Sequence, residues 1–248
     1  QYYDVQNYPQ LFPNFANGYA NDIALKYSLQ RNSVNSPIYP AEGSKLSFTA
    51  KATLPYSLMD NKPDDYATAQ DRYRYLEYFK LKFTGEFYFP LTKDKKLVIS
   101  PRFGFGLMGS YNSAKGLTPF ERFTLGGSGL SGVNQFGGRE IIALRGYNDN
   151  SLSSTGGDPL IAKYTMELRY PISLNPQATF FVLAFAEAGN TFTDFRKFNP
   201  FNVKRAAGVG IRVFLPMFGM LGLDYGFGFD KLDSWSSASG SSSGSDAS

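Results

Sequence analysis

Apolar and polar residues alternate with period two in eight separate stretches of this chain, the mark of a β-strand lying between unlike surroundings. The first stretch sets Ile23, Leu25, Tyr27 and Leu29 against Asp22, Lys26, Ser28 and Gln30. In the second, Leu46, Phe48, Ala50, Ala52 and Leu54 oppose Lys45, Ser47, Thr49, Lys51 and Thr53. Phe79–Phe89 and Leu97–Leu107 repeat the pattern, with Lys80, Lys82 and Glu86 on the polar face of one and Ser100, Arg102, Gly104 and Gly106 on that of the other. After a long interval come Ala162–Tyr170, Ala207–Leu215 and Leu221–Phe229, the last with Gly222, Asp224, Gly226 and Gly228 on its polar side. Phe180–Ala188 is apolar on both faces except at Glu187, so that residue sets its facing. No charged residue falls on the apolar face of any of these strands.

A β-sandwich would alternate in the same way, so strand length and loop length must decide. The strands run to about nine to eleven residues, the length of a tilted membrane crossing rather than of a typical globular strand. The connections also alternate, long at 56–74, 111–160 and 190–202 and short at 91–96, 171–177 and 216–219, with 31–42 the longest on the short side. Short turns at one end and long loops at the other predict an all-β fold, a transmembrane antiparallel β-barrel. Residues 1–19 read as an aperiodic loop on the extracellular side, 20–230 as barrel strands, and 231–248 as a disordered Ser/Gly-rich loop or tail. The connection at 111–160 is too long to be a passive link, and it reads as a loop folded back into the barrel lumen.

Composition narrows the chemistry. The chain has neither cysteine nor histidine, which excludes disulfide frameworks, the usual zinc ligand sets and histidine-based triads. The longest apolar run, Phe180–Ala186, is far short of the ~18 residues of a spanning helix. A net charge of +4 would suit an anionic partner, but the basic residues form no stripe interleaved with aromatics, and nucleic acid is not expected. Gln1 opens directly into polar sequence without a signal peptide, so the chain reads as a processed or partial piece.

Two candidate sites are set aside. Gly104–Gly109 fits G-x-G-x-x-G, but the strand continues where a dinucleotide site needs a helix, and these glycines fit a wall that must leave room for an inserted loop. Glu167 and Glu187 could be a paired-carboxylate hydrolase site, yet no sugar-binding aromatics accompany them. Lumenal charges such as Lys26, Lys45, Lys80 and Lys82 read as solvated. Arg145 reads differently, because Gly146 permits a tight backbone and a planar guanidinium can fork two inward carboxylates on adjacent strands.

Pro119-Phe120-Glu121-Arg122-Phe123, Leu125-Gly126-Gly127 and Leu144-Arg145-Gly146-Tyr147 together resemble the BamA family of outer-membrane assembly factors. Pro40-Ala41-Glu42-Gly43 looks like that family's Pro-x-(Asp/Glu)-Gly turn. The resemblance covers about Ala20 to Asp230 and implies the later half of a roughly sixteen-stranded barrel in the bacterial outer membrane. It implies a loop lock made of Arg145, Gly146, Tyr147, Glu167 and Glu187, with glutamate where the family more often has aspartate. It further implies an insertase, not an enzyme and without cofactors, whose partners are unfolded outer-membrane clients, accessory assembly subunits and the lipid bilayer, with lipopolysaccharide a further candidate. A two-partner secretion pore shares the arginine loop and stays open as an alternative, as does a passive porin. Extra Gly-rich sequence between Gly127 and Leu144 departs from the family pattern.

Overall fold

The computed structural model describes residues 2–4, 17–59, 66, 68–129 and 138–230. The Ser/Gly-rich stretch 231–248, the Gly-rich part of the long loop at 130–137 and most of segment 1–19 lie outside the described residues. Within that segment β1 (Tyr2–Asp4) pairs antiparallel with β2 (Asn17–Tyr19), where the sequence reads as loop. Strands of three residues are too short to display a period.

The eight predicted strands are present and join one sheet. They are β3 (Ala24–Asn32), β4 (Gly43–Thr53), β5 (Phe79–Pro90), β6 (Val98–Gly109), β9 (Leu160–Asn175), β10 (Ala178–Phe192), β11 (Lys204–Leu215) and β12 (Gly219–Gly228). Their order is β12-β11-β10-β9-β6-β5-β4-β3, antiparallel throughout. The sheet is not closed among the described residues, where β3 and β12 form its edges. Between β4 and β5, two helical turns, α1 (Tyr56–Met59) and α2 (Ala69–Tyr73), interrupt a segment that reads as polar loop. Thr68 caps α2 by accepting from the Asp71 amide, which satisfies one of the free donors at its start.

Alternation gives the sheet two unlike faces. One carries Leu25, Ile211, Leu223, Tyr225 and Phe227, all exposed. The other carries the charged positions and the long loop, and on β10 it takes Phe181, Leu183, Phe185 and Glu187, the facing that the single glutamate requires.

Pro171 departs from the sequence reading. The link placed at 171–177 shrinks to a turn at 176–177, because β9 runs on through Pro171. The register shifts opposite Phe180 and Phe181, leaving Ile172 unpaired, and this bulge admits a residue that cannot donate to the ladder. Pro101 sits inside β6, where the pairing with β5 skips from Glu86↔Arg102 to Phe89↔Ile99.

At the short-turn end, the 33–42 link turns inward. Tyr39 is buried with Ala41, Tyr88, Val98, Phe181, Leu183 and Phe185, its ring edge-on to Phe181 at 5.2 Å. Its O–H points at two carbonyl oxygens, 2.7 Å from that of Lys96 and 3.1 Å from that of Arg169. Burial pushes the phenol up to about 12, against the lowering influence of Arg169, so it stays a neutral donor. The length of this link is therefore used to brace β9 and the β5–β6 turn. Tyr39→Phe should cost about 1 kcal/mol, read as a lower temperature at which the compact, fast-migrating form is lost on gels. An unchanged temperature would mean that water replaces the phenol.

Candidate functional site

The long loop owes its path to apolar packing against the charged face. After β6 it forms β7 (Phe123–Leu125), which pairs in parallel with β8 (Glu140–Ile142) inside the same connection. Phe120, Phe123, Leu125 and Leu144 are buried against Tyr78, Met108 and Ile161 of the wall. At its return, the Asp158 carboxylate accepts from the Ser154 amide at 3.0 Å and from the hydroxyls of Ser154 and Thr191, both at 2.6 Å. Fixed at both ends, the loop presents Leu144-Arg145-Gly146-Tyr147 to β9–β12.

The Arg145 guanidinium donates through one terminal nitrogen to Glu167 at 2.9 Å and Glu187 at 2.8 Å, and through the other to Asp224 at 3.2 Å. Its backbone amide donates to the second oxygen of Glu187 at 2.9 Å. Beneath it, the Phe185 ring centroid lies 3.6 Å from the guanidinium carbon, a cation–π contact on the residue paired with Glu167 across the sheet. Both glutamate side chains are only 3% exposed.

Shape matters as much as charge. Gly146 has φ of +92°, and a Cβ there would stand 2.7–2.9 Å from the backbone of Phe227 and Gly228. The wall is also bare at this spot, with Gly208 paired to Gly226 and Ala206 to Gly228. Tyr147 closes the motif by donating its hydroxyl to the Arg205 carbonyl at 2.8 Å and accepting from the Asp230 amide at 3.1 Å.

The carboxylates have other partners. Arg169 grips the second oxygen of Glu167 at 2.7 and 2.9 Å, and Arg102 contacts the first. Lys163 lies 3.3 Å from Glu187, and Arg212 forks Asp224 at 2.6 and 2.7 Å. With every oxygen of Glu167 and Glu187 engaged by a donor, neither is placed to serve as a free general acid.

The family model for the Omp85 superfamily domain matches residues 2–237. This chain belongs to the Omp85 superfamily. This Omp85 domain is similar in fold to the crystal structure of BamA from Haemophilus ducreyi lacking POTRA domains 1–3, at a TM-score of 0.63 and 18% identity. The match covers 93% of this chain and 45% of the other, so the chain spans less than half the length of that relative.

Sequence reading brought Arg145, Glu167 and Glu187 together in this Omp85 domain, and they are in contact. Asp224 was missed as a third carboxylate, although it stands alone among the glycines of the last polar face. Arg102, Arg169, Lys163 and Arg212 were missed as counter-charges, because cross-strand register was not available to place them. Lys80 and Lys82, read as solvated, pair with Glu140 of the loop.

These extra cations lower the cost of losing the arginine. Removing one partner of a buried pair can cost ~3–5 kcal/mol by leaving a bare charge. Here each carboxylate keeps a cation, so Arg145→Ala should cost about 2 kcal/mol, the scale of its charged hydrogen bonds. Gly146→Ala should be at least as damaging although it removes no charge, since the loop must lift from Phe227 and Gly228. Thermal loss of the folded form checks both, and a harmless Gly146→Ala would refute the close approach.

Proposed function

We propose that this Omp85 domain forms part of an outer-membrane insertase, which folds and inserts client β-barrel proteins without covalent chemistry. The observation that carries the reading is the long loop tied through Arg145 to carboxylates on three strands of the wall. A passive pore has no need of such a tie. The charge and glycine on the inner face serve to seat the loop, and a seated loop fixes how β9, β10 and β12 stand relative to one another. The clients on this reading are unfolded outer-membrane proteins, whose strands bind by backbone pairing to an exposed sheet edge. Accessory assembly subunits and lipopolysaccharide are the further partners proposed.

The opposite face supports residence in a bilayer. Leu25, Leu223 and Tyr225 are 81%, 75% and 76% exposed on a broad apolar surface. Contiguous apolar patches on water-soluble monomers seldom exceed a few hundred Å². Lipid chains remove that penalty, and they would leave this face without a protein partner.

Two measurements test the reading. Spin labels at Leu46, Leu81, Ile211 and Leu223 should be reached by a lipid-soluble quencher, and Leu223→Arg should cost ~2–4 kcal/mol if it lies near the midplane. Labels shielded from lipid and water alike would count against the barrel. The full-length protein in liposomes should also speed the conversion of a urea-denatured client barrel to its protease-resistant form, and Arg145→Ala should slow that conversion. Transport of a passenger across the liposome with no client folding would favour the secretion pore instead.

A further inference from the structure

The cross-strand register sets Lys26 of β3 opposite Lys51 of β4, and Lys51 opposite Lys80 of β5, all on the loop-bearing face. Like charges placed directly opposite one another on a sheet destabilise it. Lys80 is also only 5% exposed, and a buried ammonium is costly unless it is paired. The wall thus carries a cationic row in which Asp22, just before β3, pairs with Lys51 at 2.7 Å while buried Lys80 needs anions from elsewhere.

The long loop supplies them. Lys80 Nζ donates to the Glu121 carbonyl at 2.8 Å and lies 3.5 Å from the Glu121 carboxylate and 3.3 Å from that of Glu140. Its ammonium also stands 4.5 Å from the centroid of the Phe123 ring. Glu121 extends to Lys51 at 3.2 Å, and Glu140 contacts Lys82 as well. The backbone is bent to allow this. Glu121 has φ of +63°, rare for a residue with a side chain and held here against local strain.

We propose that Lys80 is the centre of a second anchor for the same loop, with the charges exchanged relative to the Arg145 anchor. At β9, β10 and β12 the wall offers carboxylates to the loop's cation; at β4 and β5 it offers lysines to the loop's anions. Opposite polarity at the two ends makes docking directional, since a reversed loop would set Arg145 on lysines and Glu121 on carboxylates. The loop becomes a strap between two regions of the sheet, and releasing it requires breaking both ends. Lys80, Glu121 and Glu140 are positioning residues in this scheme. The inference rests on the reading of the loop as the working element of an insertase, so its test follows docking directly and reads client folding separately.

The chain has no cysteine, and Thr124, 2% exposed within β7, gives a probe between the anchors through Thr124→Cys. In the full-length protein in liposomes, labelling of that cysteine by a water-soluble maleimide should be slow. Adding Lys80→Met should raise the rate about tenfold, the scale of one charged hydrogen bond, and Arg145→Ala should raise it similarly. The double variant should show the product of the two factors. Glu140→Gln, which keeps Lys80 and its Glu121 contacts, should give a smaller rise in the same direction and serves if Lys80→Met does not fold. Lys45→Met, on the same face without a loop contact among the described residues, should leave the rate unchanged. The proposal is overturned if Lys80→Met and Glu140→Gln both label at the parent rate, or if Lys45→Met labels as fast as they do. Unaltered client folding in variants that do expose the probe would sink the insertase role of the loop and leave the second anchor standing.

Discussion

Everything distinctive about this structure depends on a loop guanidinium reaching carboxylates on three strands of one sheet. Arg145 meets Glu167 on β9, Glu187 on β10 and Asp224 on β12. Backbone ladders join each strand to its neighbours, but a ladder leaves the twist between them soft. A charge held from above by three strands constrains them together. The planar shape of the guanidinium suits this, because its nitrogens can serve separate acceptors in one plane while the Phe185 ring fills the space below.

Charge burial on this scale would be unfavourable if any member lacked a partner. Arg102, Arg169, Lys163 and Arg212 keep the carboxylates compensated, so the site is a network rather than an isolated pair. The network also explains why the inner wall alternates charge with glycine. Side chains are placed where they meet a counter-charge and omitted where the loop backbone comes down, as at Gly226 and Gly228. Apolar contacts from Phe120, Phe123, Leu125 and Leu144 hold the loop near the wall, and the polar contacts choose its register.

The eight strands of the main sheet and their facing were legible in the sequence because each depends on local pattern, and the contact of Arg145 with Glu167 and Glu187 because a planar guanidinium suits two inward carboxylates. Period two survives in every long strand, and a single glutamate was enough to orient β10. What could not be read depends on partners distant in the chain. Pro171 looked like a strand terminus, because nothing local reveals that a bulge opposite Phe180 would accommodate it. Tyr39 looked like part of an overlong turn, because its acceptors lie at Lys96 and Arg169. Lys80 looked solvated for the same reason, its anions being carried by Glu121 and Glu140 of the loop, 41 and 60 residues further along the chain.

Arg145 and the inner carboxylates are expected to act as one energetic unit. A double-mutant cycle with Arg145→Gln and Glu187→Gln, read as the free energy of unfolding of the purified barrel in detergent, measures this directly. The double variant should lose less than the sum of the singles, with a coupling of about 1–3 kcal/mol for residues in direct contact. Losses that add to within about 0.5 kcal/mol would show that the two side chains stand close without acting together.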